Sequence, residues 1–282
     1  PRAPDFIRLA RMDKPIGTYL LLWPTLTALW IAAGGFPGLH LLLVFALGTW
    51  LTRSAGCVLN DMADMKFDGF VKRTQGRPLA TGKVSRFEAL LFAGAILLLA
   101  LLLVLTTNET TVLMTIPAVV ITAIYPLMKR YTYLPQAILG VAFSWGILMA
   151  FTATQDVLPA MAWLLLTANL LWVVAYDTEY AMVDRDDDIR LGLKSTAILF
   201  AELDRTMIGV LQVSWLGAML LAGHQAGLSV WYYAALGGAG ALFVYQQYLI
   251  KDRARDECFE AFLNNHWVGL IVFVGVVVHY AL

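Results

Sequence analysis

Long apolar runs, separated by short polar stretches, dominate this 282-residue chain. Nine of them reach about the length that a bilayer demands, near 16–36, 39–58, 88–107, 110–128, 133–153, 159–176, 206–223, 228–249 and 266–282. A helix needs roughly 17 or more apolar residues to cross about 30 Å of hydrocarbon. The pattern therefore predicts an all-α polytopic membrane protein with about nine transmembrane helices. Composition agrees, with 60% hydrophobic and only 14% charged residues; a soluble domain carries about a quarter charged. The whole of 1–282 reads as a single integral-membrane domain, with no nucleic-acid partner expected and oligomeric state left open.

Net charge is zero, but all twenty Lys and Arg fall on one side of the alternating topology. They occupy the N-terminus, the stretch from Arg53 to Arg86, Lys129 and Arg130, the stretch from Arg185 to Arg205, and Lys251 to Arg255. The opposite connections, near 34–39, 107–110, 154–158 and 223–228, have none. By the positive-inside rule the N-terminus and both long loops face the cytoplasm, and nine spans put the C-terminus outside. No cleavable signal is expected, because the first apolar segment is long enough to span and lacks a small-residue cleavage pattern. A start at Pro1 fits an N-terminal trim.

The two long polar loops follow the second and sixth spans, four helices apart. That spacing predicts a parallel repeat, two four-helix halves plus one appended span, around a central cavity. Each loop opens on acids. The first reads Asn60-Asp61-x-x-Asp64-x-x-x-Asp68, and the second carries Asp177, Asp184 and Asp188 within a longer acidic run. Continued as helices, both segments place their acids on one face. Close same-face carboxylates repel by roughly 1 kcal/mol per pair in water, or about 4 at an effective dielectric of 20. A hard divalent cation relieves that repulsion, and Mg²⁺ commonly bridges carboxylates to phosphates.

Acidic loops are more often solvated connectors than sites. Here the acids begin at the membrane boundary, and the second segment has no Gly or Pro until Gly192. Bases stand beside them: Lys72, Arg73, Arg77 and Lys83 after the first cluster, Arg190 and Lys194 after the second. Alternating sign over short distance suits a diphosphate–metal site, with acids for Mg²⁺ and bases for phosphate oxygens. The Gly76-Arg77-Pro78 turn fixes Arg77 over that site, although Gly and Pro also simply punctuate loops. Tyr125 and Lys129 are i, i+4 neighbours able to address one anion, or equally an interfacial belt with positive-inside charge. Cys57 and Cys258 are too few to argue a disulfide framework. The four His show no ligand spacing.

With these residues in hand, the chain resembles the UbiA family of intramembrane aromatic prenyltransferases. The matching motifs are Asn60-Asp61-x-x-Asp64-x-x-x-Asp68, Tyr125-x-x-x-Lys129, Asp184-x-x-x-Asp188 preceded by Tyr176-Asp177-Thr178, the Gly76-Arg77-Pro78 turn, and Lys194-Ser195-Thr196. The likeness runs from Arg11 to the last span. It implies an enzyme that takes a polyprenyl diphosphate, with Mg²⁺ as cofactor. Asp64 and Asp68 would hold one Mg²⁺ and Asp184 and Asp188 the second, supported by Asn60 and Asp177. Arg77, Lys129, Arg73 and Lys194 would serve the diphosphate. The narrower likeness of residues 176–188 and Lys129-Arg130 implies 4-hydroxybenzoate as acceptor, its carboxylate on a buried Arg130. It further implies ubiquinone synthesis at the bacterial inner membrane. Asp184 or Asp177 would help to remove the phenolic proton.

Sister enzymes acting on a naphthoate, homogentisate or haem are the near alternatives. A CDP-alcohol phosphotransferase fits less well, because its acids form one compact motif with an Ala-Arg pair that is absent after Gly69. A cation-coupled transporter would place its acids nearer the midplane.

Overall fold

The computed structural model describes residues 2–65, 68–70 and 74–282, with Phe70 described by its backbone alone. A short helix α1 (Ala3–Leu9) precedes two long ones, α2 (Ile16–Ala33) and α3 (Leu39–Asp64). Next come α4 (Arg86–Val104), α5 (Glu109–Leu113), α6 (Thr115–Met128), α7 (Pro135–Gln155) and α8 (Ala160–Leu191). The chain closes with α9 (Thr196–Phe200), α10 (Asp204–Gln225), α11 (Val230–Leu249) and α12 (Arg255–Ala281). Among the described residues there is no strand.

Eight segments are long and apolar enough to cross a membrane, α5 and α6 counting as one and α9 joining α10. The remaining expected span is α11, twenty residues long, whose tyrosines, glycines and glutamines lower its hydropathy. Broad apolar surfaces on α4, α6 and α10 are exposed, among them Leu98, Val119 and Val213. Such surface is at home only against lipid. The protein is a multi-pass membrane protein.

Local sequence sets the boundaries. Ser85 and Glu88 form a reciprocal capping box at the start of α4, and Asn108 caps α5 through Thr111 N. α8 runs unbroken for 32 residues until Gly192 takes a left-handed conformation, φ 69°. At 1.5 Å per residue α8 is about 48 Å long, so its last turns carry their acids beyond the hydrocarbon. The first motif behaves differently. α3 stops at Asp64, and Asp68 sits in a separate 3₁₀ turn, Asp68–Phe70. The expected continuous helix through Asp68 is not formed.

The order of contacts follows the predicted halves. α3 packs on α2 and α4, as α8 packs on α7 and α10, and α2 meets α7. α12 is no appendage: it wedges between α2, α8 and α11 and closes the ring. Its approach to α11 depends on small residues, since a Cβ at Gly275 would lie 2.6 Å from that of Ala235. Small residues let membrane helices meet closely where hydrophobic driving force is lacking. Trp172, Trp215, Phe151 and Tyr232 fill the main core behind α8.

Candidate active site

One cavity of about 1530 Å³ receives both acidic motifs. Asn60, Asp61, Asp64 and Asp68 line it from one side, and Asp177, Asp184 and Asp188 from the other. Arg77, Tyr125, Lys129 and Lys194 complete the polar end. Along α3 the lining runs from Val44 to Asp64, which at 1.5 Å per residue is about 30 Å, the hydrocarbon thickness of a bilayer. The deeper wall is apolar. Leu98 and Leu101 of α4 and Val119 of α6 line the cavity and are also exposed, so it opens sideways to lipid between those helices.

The first motif is buried and heavily paired. Asp61 receives Arg11 Nη2 at 2.6 Å and Arg77 Nη1 at 2.9 Å. Arg77 Nη1 also spans both oxygens of Asp68, at 3.0 and 2.9 Å. Lys129 Nζ reaches Asp64 Oδ2 at 2.5 Å, and Asn60 Nδ2 approaches the same oxygen at 3.4 Å. The turn that carries Asp68 is fixed by Thr74 Oγ1 donating to its carbonyl at 2.8 Å. Burial pushes the Asp68 carboxyl up from its ordinary range; Arg77 opposes this, and neighbouring Asp61 adds to it.

The second motif lies half-buried along α8. Its flanking acids are held by Arg255 of α12, itself at the cavity wall, which donates to Asp187 at 3.1 Å and Asp186 at 3.3 Å. Lys194 lies just beyond, its amide donating to Lys129 O at 2.9 Å and its Nζ to Tyr131 O at 3.1 Å. These bonds tie the loop after α8 to the connection between α6 and α7. Tyr125 lines the same cavity as both motifs.

Two expectations need revision or fall outside view. Arg130 is exposed, donates to Ala63 O at 2.6 Å, and does not line the cavity. It is therefore not the buried cation foreseen, because it leaves α6 at the rim and turns back on the end of α3. Arg73 lies outside the described residues.

Sequence reasoning passed over Arg53, which lines the cavity three turns deeper than Asp64. Its Nε is buried without a hydrogen-bond partner, and it contacts Cys57 Sγ. Among the described residues no carboxylate pairs with it. Arg53 lies in reach of both Tyr125 and Tyr176. A Cβ at Gly17 would run into its guanidinium, so glycine there leaves the side chain its place. The missed signal was an intramembrane cation at i−7 and i−11 from Asn60 and Asp64, on one helix face. Asp61 and Arg11 were also undervalued, and nothing local to Arg11 points to a partner fifty residues on.

The donor set fits a hard cation. Among the described residues no three acids, histidines or cysteines converge into a ready cage. Yet Asp64 Oδ1 is buried and, among the described residues, accepts no hydrogen bond, which is costly for a carboxylate unless a ligand completes it. Mg²⁺ characteristically takes one or two carboxylates, with substrate phosphates and water supplying the rest.

This cavity sets two acid motifs with interleaved bases over an apolar chamber, within a bundle of membrane-length helices. The model of the UbiA prenyltransferase family matches residues 21–271, and the chain belongs to that family. It is 59% identical to 4-hydroxybenzoate octaprenyltransferase of Pseudomonas fluorescens over all of this chain and 95% of that one. The enzyme of the same name from Aeromonas salmonicida is 57% identical over 98% and 96% of the two chains. Among solved structures, the apo UbiA homolog of Aeropyrum pernix matches with TM-score 0.82 and 22% identity over 92% of this chain and 97% of that one. The Archaeoglobus fulgidus homolog bound to DMAPP and Mg²⁺ matches with TM-score 0.75 and 19% identity, over 98% of each chain.

Proposed function

We propose that this protein transfers a polyprenyl group from its diphosphate to the ring carbon ortho to the hydroxyl of 4-hydroxybenzoate, in ubiquinone biosynthesis. The observation that carries this reading is one cavity joining two acid motifs, paired bases and a lipid-open apolar wall, in a chain 59% identical to an enzyme of that name. We further place the chain as one domain in the bacterial inner membrane, the polar end facing the cytoplasm, where its Lys and Arg concentrate.

Asp64, Asp68, Asp184 and Asp188 would hold Mg²⁺, supported by Asn60 and Asp177. A Mg²⁺ held by these acids would supply charge neutralisation for a diphosphate leaving group. Arg77, Lys129, Lys194 and Arg73 would grip phosphate oxygens, and Lys129 is paired with a motif acid already. Fixed positive groups of this kind stabilise charge as it develops on the leaving oxygen. The donor C–O bond breaks, the electron-rich ring carbon forms the new C–C bond, and a ring proton is lost as aromaticity returns. Asp177 or Asp184 assists by drawing on the phenolic proton. The apolar chamber excludes water from the allylic cation, and a long tail gains about 0.8 kcal/mol per buried CH₂ by staying in lipid.

The acceptor carboxylate belongs on Arg53, a cavity cation without a carboxylate partner; Arg130 at the rim is the competing assignment. A buried guanidinium left unpaired costs free energy that an anionic acceptor recovers. The test is mass spectrometry of products from purified protein in detergent with Mg²⁺, geranyl diphosphate and a panel of aromatic acceptors. Prenylated 4-hydroxybenzoate is expected. Product from a naphthoate or homogentisate alone would reassign the acceptor, and no product from any acceptor would overturn the reading.

A further inference from the structure

Behind α8, away from the cavity, lies a cluster of amides around one carboxyl. Glu179 is fully buried on α8, two residues from Asp177 and five from Asp184. It accepts from Asn265 Nδ2 of α12 at 2.8 Å and, more weakly, from Gln212 Nε2 of α10 at 3.5 Å. Gln212 Nε2 also donates to Gln246 Oε1 of α11 at 2.9 Å, and Gln246 in turn donates to Asn264. Trp172 Nε1 donates to Asn265 Oδ1 at 2.8 Å, returning the network to α8. None of these side chains lines the cavity, and among the described residues no cation pairs with Glu179.

A fully buried carboxyl without a cation is expensive unless its hydrogen bonds are satisfied, so a network built to hold one calls for a reason. Apolar side chains slide on one another, whereas a directed hydrogen bond fixes how a helix is turned about its axis. Side-chain tips lie about 5–6 Å from a helix axis, so a 20° turn of α8 moves a carboxylate by about 2 Å. Displacements of about 1 Å at a reacting centre can cost about 100-fold in rate.

The geometry points to Glu179 as a positioning residue that sets the rotation of α8, and through it the aim of Asp177, Asp184 and Asp188 into the cavity. It touches neither substrate nor metal. This rests on the proposed transferase reading, which the wild-type protein tests in the same assay. Kinetics of Glu179→Leu and Glu179→Gln at varied Mg²⁺ decide the matter. Leu should lower kcat by about 10–100-fold and raise the Mg²⁺ needed for half-maximal rate, with donor KM within twofold. Gln keeps an acceptor for Asn265 and should restore most of both. Asn265→Leu, which removes the facing donor, should give the Leu signature without adding to it in the double variant. Wild-type kcat and Mg²⁺ response in Glu179→Leu would overturn the inference while leaving the transferase reading intact. A loss equal in Leu and Gln, or one that follows only the folded fraction on size exclusion, would overturn it too. Should Glu179→Leu not fold, Asn265→Leu carries the same measurement.

Discussion

The two acidic motifs face one cavity but are held in opposite ways. The first stands at a helix end and is buried in counter-charge, with Arg11, Arg77 and Lys129 on Asp61, Asp68 and Asp64. The second rides an unbroken helix and is braced from behind, by the Glu179 amides within the span and by Arg255 at the tip. Acids at a helix C-terminus oppose the macrodipole, and both motifs carry theirs at or near such an end. The first motif thus ends with its helix, whereas the second is carried on along one. The pairing bases of the first are also the groups best placed to meet a diphosphate.

Several measurements break or sharpen this contrast. The largest effect should come from Asp64→Ala or Asp184→Ala, each lowering turnover by about 1000-fold or more, as does chelation of Mg²⁺. Appreciable product formation from either variant, or in EDTA, would remove the metal proposal. Arg77→Met should follow, with about a 100-fold loss in kcat, because it frees two acids of the first motif while leaving α8 untouched. Smaller again, Arg53→Met should raise acceptor KM by about 10–100-fold, the worth of a charged hydrogen bond, with donor KM unchanged. Gly17→Ala should act in the same direction by crowding the guanidinium. Steady-state kinetics that show the acceptor effect at Arg130→Ala instead would return the carboxylate to Arg130. The smallest change belongs to Arg255→Gln. Its pairs with Asp186 and Asp187 are largely exposed and together worth roughly 0–1 kcal/mol, so thermal unfolding and kcat should shift only slightly.

Much of this was legible along the chain. Apolar length gave the spans, and the run without Gly or Pro up to Gly192 gave the full extent of α8 with its acids. Both follow from local rules. Arg130 was expected to be buried but is exposed, because its neighbour Lys129 enters the cavity and one residue on a helix turns the next by about 100°. Arg53 was counted among loop charges because its depth depends on where α3 ends. Arg11 meets Asp61 across fifty residues, a distance that no local pattern bridges.

Sequence alone determined the class of the protein: hydrophobic length, one-sided bases and two acid motifs are set by short-range chemistry that any fold of this chain must satisfy. Only the tertiary structure decided which cation enters the cavity, which acids are already neutralised, and how α8 is turned toward them. Those depend on the relative rotation and depth of packed helices, quantities that residues distant in the chain fix together.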